Sequence, residues 1–174
     1  DVDGTGVLAG ISNISRIDAF KTEDGKKVPC DGQLWYRGYN VIDLIHGFEG
    51  KRFGFEEVAY LLLFGELPDA AKLGAFKSML EECRQLPTNF TRDVIMKAPS
   101  KDIMNSLTRS VLTLASYDET IADQELHTQL EQCIKLISVF PMLAVYGYHA
   151  YNHYICDDSL YIHRPQEGFS AAEN

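Results

Sequence analysis

Residues 55–68, Phe-Glu-Glu-Val-Ala-Tyr-Leu-Leu-Leu-Phe-Gly-Glu-Leu-Pro, constrain the chain more than any other stretch, because they write a short apolar helix together with both of its ends. Glu56 and Glu57 fall in the first turn, where carboxylates meet the positive end of the helix dipole. Phe55, Val58, Ala59, Leu62 and Leu63 follow the i, i+3, i+4, i+7, i+8 spacing of one apolar face. Leu61 and Phe64 add apolar surface on the other side, so the helix is expected to be buried nearly all round. Gly65 stands where a left-handed C-terminal cap is wanted, and Pro68 follows as a stop. A buried helix of about three turns needs a larger structure packed around it. The remaining residues are read as that surround.

Upstream, the pattern between residues 7 and 18 is short and strand-like, and residues 13–17 form the best-defined strand. Residues 21–31 read as a polar loop carrying Gly25 and Pro29. Residues 33–38 read as a second, aromatic-rich strand that pairs with the first into a small β-hairpin near the N-terminus. Asn40 then caps a short helix to His46. Downstream, Asp69 caps an amphipathic helix reaching about Arg84, with Leu73, Phe76, Lys77 and Leu80 on one stripe. Residues 90–97 form a short helix. Another begins at 100–102 and buries Ile103, Met104, Leu107, Ser110, Val111 and Leu114. A long helical pattern runs from Asp123 to about Tyr154, and Pro141 divides it into two helices or one kinked helix, since an interior proline costs about 3 kcal/mol. Its second half is apolar on every face, with a small-residue line of Ala144, Gly147 and Ala150, and is expected in a large core or a subunit interface. The fold class is therefore mostly all-α, with one small hairpin.

With 174 residues, 45% of them hydrophobic and 24% charged, the chain suits one soluble globular domain. A net charge of −9 argues against a nucleic-acid surface and against docking on an anionic membrane. No uninterrupted apolar run reaches the roughly 18 residues of a membrane span. Cys30, Cys83, Cys133 and Cys156 are scattered without a CxxC pair, as free thiols of a reducing cytoplasm would be. The expected location is cytoplasmic.

Few residues offer themselves for chemistry. His149 and His153 share a helix face, but the residue after His149 is Ala150 rather than the glutamate of HExxH, and no third ligand is evident. Histidines bonded to neighbouring tyrosines are the better account. His163 and Arg164 read as a solvated loop pair, and His46 and His127 suggest nothing special. Arg37, between Tyr36 and Gly38, reads as a guanidinium that satisfies backbone carbonyls and locks the hairpin to a helix, in preference to an anion ligand. No Gly-rich phosphate loop, GxSxG elbow or carboxylate pair is present. The sequence yields no catalytic, cofactor-binding or metal-binding residue.

The order of motifs does resemble a known family. Gly6-Val7-Leu8-Ala9-Gly10-Ile11, Ser15-Arg16-Ile17-Asp18, residues 32–39 (Gly-Gln-Leu-Trp-Tyr-Arg-Gly-Tyr) and residues 55–68 follow one another as in the amino-terminal part of citrate synthase, in a bacterial form. Residues 98–104 (Ala-Pro-Ser-Lys-Asp-Ile-Met), 160–165 (Leu-Tyr-Ile-His-Arg-Pro) and 170–174 (Ser-Ala-Ala-Glu-Asn) are similar to later segments of that family, so the resemblance covers the whole chain.

The resemblance implies a mostly helical homodimeric enzyme with a large and a small domain. Residues 1–174 would form the N-terminal portion of the large helical domain. Such an enzyme condenses acetyl-CoA with oxaloacetate to citrate and CoA, using two histidines and an aspartate and no bound cofactor. Those groups are expected beyond Asn174, and none is assigned to His149, His153 or His163. Ser170-Ala171-Ala172-Glu173 is a capping box that opens a helix, and the first residue is Asp1 rather than Met, so a fragment without activity of its own is expected. Two alternatives stand beside this: the same fold as a 2-methylcitrate synthase or citryl-CoA lyase module, and a stand-alone, non-catalytic helical dimerisation module.

Overall fold

The computed structural model describes residues 12–50 and 53–174 and divides into two compact units, residues 1–76 and 77–174. The motif at residues 6–11 lies outside the described residues.

In the first unit, β1 (Ser15–Glu23), β2 (Lys26–Tyr36) and β3 (Tyr39–Asn40) form an antiparallel sheet in the order β1-β2-β3. Both strands of the expected hairpin are longer than their patterns suggested, and the expected loop at 21–31 is mostly ladder. Glu23 pairs with Lys26 across the two-residue turn Asp24-Gly25, whose φ angles of 50° and 76° give the type I′ geometry that matches strand twist. Arg37 and Gly38 (φ 48° and 88°) repeat the device between β2 and β3, so the second strand ends at Tyr36 and Arg37 sits in the turn.

Helix α1 (Val41–His46) starts as expected, with the Asn40 side chain accepting from Ile42 N at 2.9 Å. Helix α2 (Phe55–Phe64) is the organising stretch. Gly65 is left-handed (φ 83°) and its N–H returns to Leu61 O at 2.8 Å, which satisfies a carbonyl of the last turn. Burial departs from expectation. Leu61 is 0% and Glu56 2% exposed, yet Phe55 and Phe64 keep 44% and 41% of their surface. The two exposed phenylalanines are the first and last residues of α2, and those between them are buried or half-buried. Phe64 still meets Tyr60 and Phe76, at ring-centroid distances of 4.5 and 6.0 Å. Asp69 starts helix α3 (Ala70–Glu82) by accepting from Lys72 N at 2.8 Å.

The second unit holds the larger core. The expected short helix is a π-helix, Thr91–Met96, preceded by Phe90. The wider turn helps Phe90 and Ile95, five residues apart, to enter the same core cluster. Helix α4 (Ile103–Ala115) is capped by Asp102, which accepts from Asn105 N at 3.1 Å. It buries Ser106, Leu107 and Ser110, while Met104, expected inside, is 67% exposed.

Helix α5 (Leu126–Cys156) runs for 31 residues straight through Pro141 as one element. It gives the core Val139, Met142, Leu143, Tyr146 and Ala150. The small-residue line serves that packing, since a Cβ built on Gly147 would sit 3.9 Å from Ser106 Cβ of α4. The second half of α5 puts one side into that core, as expected, while Val145, Tyr148 and Tyr154 are exposed on the single chain. By length and composition α5 could also cross a membrane. Its packing on α4 and the π-helix explains the same composition as that of a core helix.

Candidate functional site

Arg37 does what its place in the sequence implied. Its Nε and Nη2 both donate to Leu62 O, at 3.2 and 2.8 Å, and Nη1 donates to Asn13 Oδ1 at 3.0 Å. The charge therefore meets the carbonyl end of α2, where the helix dipole favours a cation. Arg37 N also donates to Ile14 O at 2.8 Å. Hairpin base and helix end are tied by one side chain.

The histidines do not converge. His46 and His127 lie beside Glu49 and Glu131 on exposed ground, at 2.8 and 3.3 Å. His149 packs edge-on between Tyr148 and Tyr161, at 5.9 and 6.2 Å between ring centroids. His153 packs on Tyr154 and uses Nδ1–H to reach Asp158 O at 2.8 Å, a contact that fixes the proton on that nitrogen because a carbonyl only accepts. His163 stacks on Tyr161. The tyrosines expected as partners of His149 and His153 are present, as ring neighbours rather than hydrogen-bond acceptors. Among the described residues no three His, Cys, Asp or Glu side chains come together in a way that would hold a metal ion.

The second unit also carries a groove of about 1170 Å³, open to solvent. Phe90, Met142, Tyr146 and Ile162 line it, together with Arg84, Arg92 and Arg164 and with Glu81, Glu82 and Glu167. The opposed charges give it no single sign. Tyr146 anchors one wall by donating to His163 O at 2.7 Å. Burial pushes its phenol above the usual tyrosine range, and the Arg164 guanidinium pulls the other way. Burial likewise raises the Cys83 thiol, which makes it a poorer nucleophile. Sequence reasoning missed this groove, because its two sides come from segments about eighty residues apart with no shared motif.

The citrate synthase C-terminal domain family model matches residues 4–174. The 2-methylcitrate synthase of Shewanella oneidensis is 34% identical over 115 residues, which are 66% of this chain and 28% of that protein. The citrate synthase of Saccharolobus solfataricus is 29% identical over 144 residues, 82% of this chain and 35% of that protein. The crystal structure of citrate synthase from Pyrobaculum aerophilum has a TM-score of 0.71 at 25% identity, over 95% of this chain and 38% of that one. The chain thus spans well under half the length of each. Sequence and fold agree: this chain belongs to the citrate synthase family of transferases.

Proposed function

We propose that the chain is the amino-terminal portion of the large helical domain of an enzyme that condenses acetyl-CoA with oxaloacetate to give citrate and CoA. Its part in that enzyme is scaffold and subunit pairing. The family match across residues 4–174 carries this reading. The arrangement of the histidines supports a structural role for them, since condensation needs acid and base groups poised on one substrate and these five hold local contacts, with Tyr161 shared by His149 and His163.

A homodimer is part of the proposal. Phe140, Tyr148 and Ile155 on α5, with Met104 and Leu112 on α4, leave large apolar side chains exposed, and such surface favours association. A cytoplasmic location and the lack of any bound organic cofactor complete it. The test is a thiol-release assay with acetyl-CoA and oxaloacetate on the purified 174-residue chain. No CoA release above the protein-free rate is expected, and citrate-forming turnover by this chain alone would sink the scaffold reading.

The Shewanella oneidensis relative supports a second reading, in which the acyl donor is propionyl-CoA and the product 2-methylcitrate. Comparing the two acyl thioesters on a catalytically competent longer form separates them through the ratio of kcat/KM values.

A further inference from the structure

Residues 157–166 carry neither helix nor strand, and Ile162 within them packs on the core that includes Met142 and Tyr146. The segment is bounded by two left-handed residues, Asp157 (φ 61°) and Gly168 (φ 77°). At its far end the chain ties itself into a small closed loop. Asn174 Oδ1 accepts from Gln166 N at 2.6 Å, while Nδ2 donates to Phe169 O and Ser170 O, each at 3.1 Å. The capping box at Ser170 is formed inside it: Ser170 N reaches Glu173 Oε2 at 3.0 Å and Glu173 N reaches Ser170 Oγ at 3.3 Å. This loop meets Glu81 of α3 and Arg84 just beyond that helix. Glu81 Oε1 accepts from Gly168 N at 2.7 Å, and Arg84 Nη1 donates to Phe169 O at 3.1 Å.

We propose that residues 158–169 are a hinged strap, latched by Glu81 and Arg84 at one end and by Tyr146 in the middle, whose opening bares the Met142–Tyr146 floor of the groove. The strap pivots at Asp157, where the backbone is already left-handed. The bonds within residues 166–174 do not involve α3, so they do not resist the strap's opening. Beyond the bonds at its pivot end (His153 Nδ1 to Asp158 O and Asp158 N to Asn152 O), three hydrogen bonds, the Tyr161–His149 ring contact and the Ile162 packing hold the strap shut, against a continuous apolar core holding α5. Segments held by so few contacts open at much lower free energy than the core beside them. The latches have different characters: Glu81 and Arg84 take one donor and one acceptor of adjacent residues, whereas Tyr146 takes a single carbonyl. Losing either far-end latch therefore leaves fewer bonds to hold the whole strap, and losing both leaves Tyr146 alone against its opening.

Hydrogen exchange read by mass spectrometry on the 174-residue chain tests this, with Glu81→Ala, Arg84→Ala, their combination, and Tyr146→Phe. Exchange across residues 159–169 is expected to accelerate about fivefold for each latch removed. The α5 amides between residues 139 and 150 should keep their protection. A second readout uses the Tyr146 phenol, which the Glu81 and Arg84 variants leave intact. Its alkaline absorbance midpoint should fall toward the ordinary tyrosine range in the Glu81→Ala, Arg84→Ala double variant. Equal acceleration throughout residues 77–174 would overturn the proposal, since the strap would then have no opening of its own. Unchanged exchange at 159–169 in every variant, or a phenol midpoint that does not move, would overturn it as well.

Discussion

Arg37 shows how much one side chain decides. Its left-handed backbone (φ 48°) would suit glycine or asparagine better, so the residue is held there by what its guanidinium does. Two nitrogens of the planar fork share Leu62 O and a third reaches Asn13. A lysine has one ammonium and cannot span these partners. Arg37→Lys is expected to lower stability by about 1.5 kcal/mol, the scale of a charge-assisted hydrogen bond at a half-buried site. The midpoint of urea unfolding checks it, and an unchanged midpoint would show the tie to be dispensable. The role of this residue was legible in the sequence, because an arginine beside an aromatic and a glycine at a strand end points to backbone carbonyls. Its partner was not, since Leu62 arrives from 25 residues away and local pattern says nothing of that approach. The same holds for Glu81 and Arg84, whose partners follow them by 87 and 85 residues.

Elements were legible wherever their ends are chemical. Asn40, Gly65 and Asp69 sit where caps were read, and Asp102 caps the helix whose start was read at 100–102, because capping is a contact between near neighbours. The hairpin was read too short. Its Asp24-Gly25 turn signal lies within a polar stretch whose charged residues alternate across an exposed ribbon, leaving no apolar period to follow. Pro141 was read as giving two helices or one kinked helix, and α5 is one element through it, since tertiary packing on one face outweighs a single missing donor. On that face Gly147 has room for a methyl group and no more. Gly147→Ala is expected to stabilise by about 0.5–1 kcal/mol through helix propensity, its Cβ meeting Ser106 at ordinary contact distance. Gly147→Leu is expected to destabilise by about 1–3 kcal/mol through overpacking of the α4–α5 contact. Thermal unfolding of the pair reads both signs, and the same sign for both would refute this account of the packing.

At the scale of the molecule, sequence pattern identified the apolar surface without dividing it between core and exterior. Both α2 and the second half of α5 are apolar around most of their circumference, yet α2 exposes only its end phenylalanines while α5 buries one side and shows the other. Periodicity cannot make that distinction when there is no polar face to mark water. The exposed side of α5 belongs to the pairing proposed above. Phe140→Glu with Tyr148→Glu places two carboxylates on it and is expected to shift the 174-residue chain to monomer in sedimentation velocity, with the far-ultraviolet circular dichroism unchanged. Association that survives both substitutions would move the interface elsewhere.

The hairpin carries one more consequence. Among the described residues, the hydrogen bonds that tie it to α2 lie at its base, where Arg37 reaches Leu62 as well as Ile14 and Asn13, while its tip is an exposed two-residue turn. Length can thus be added between Asp24 and Gly25 without touching the inward register, at a loop-closure cost that grows only with the logarithm of the insert. The tip is the natural place to graft an epitope or a tether, leaving the helices as they are.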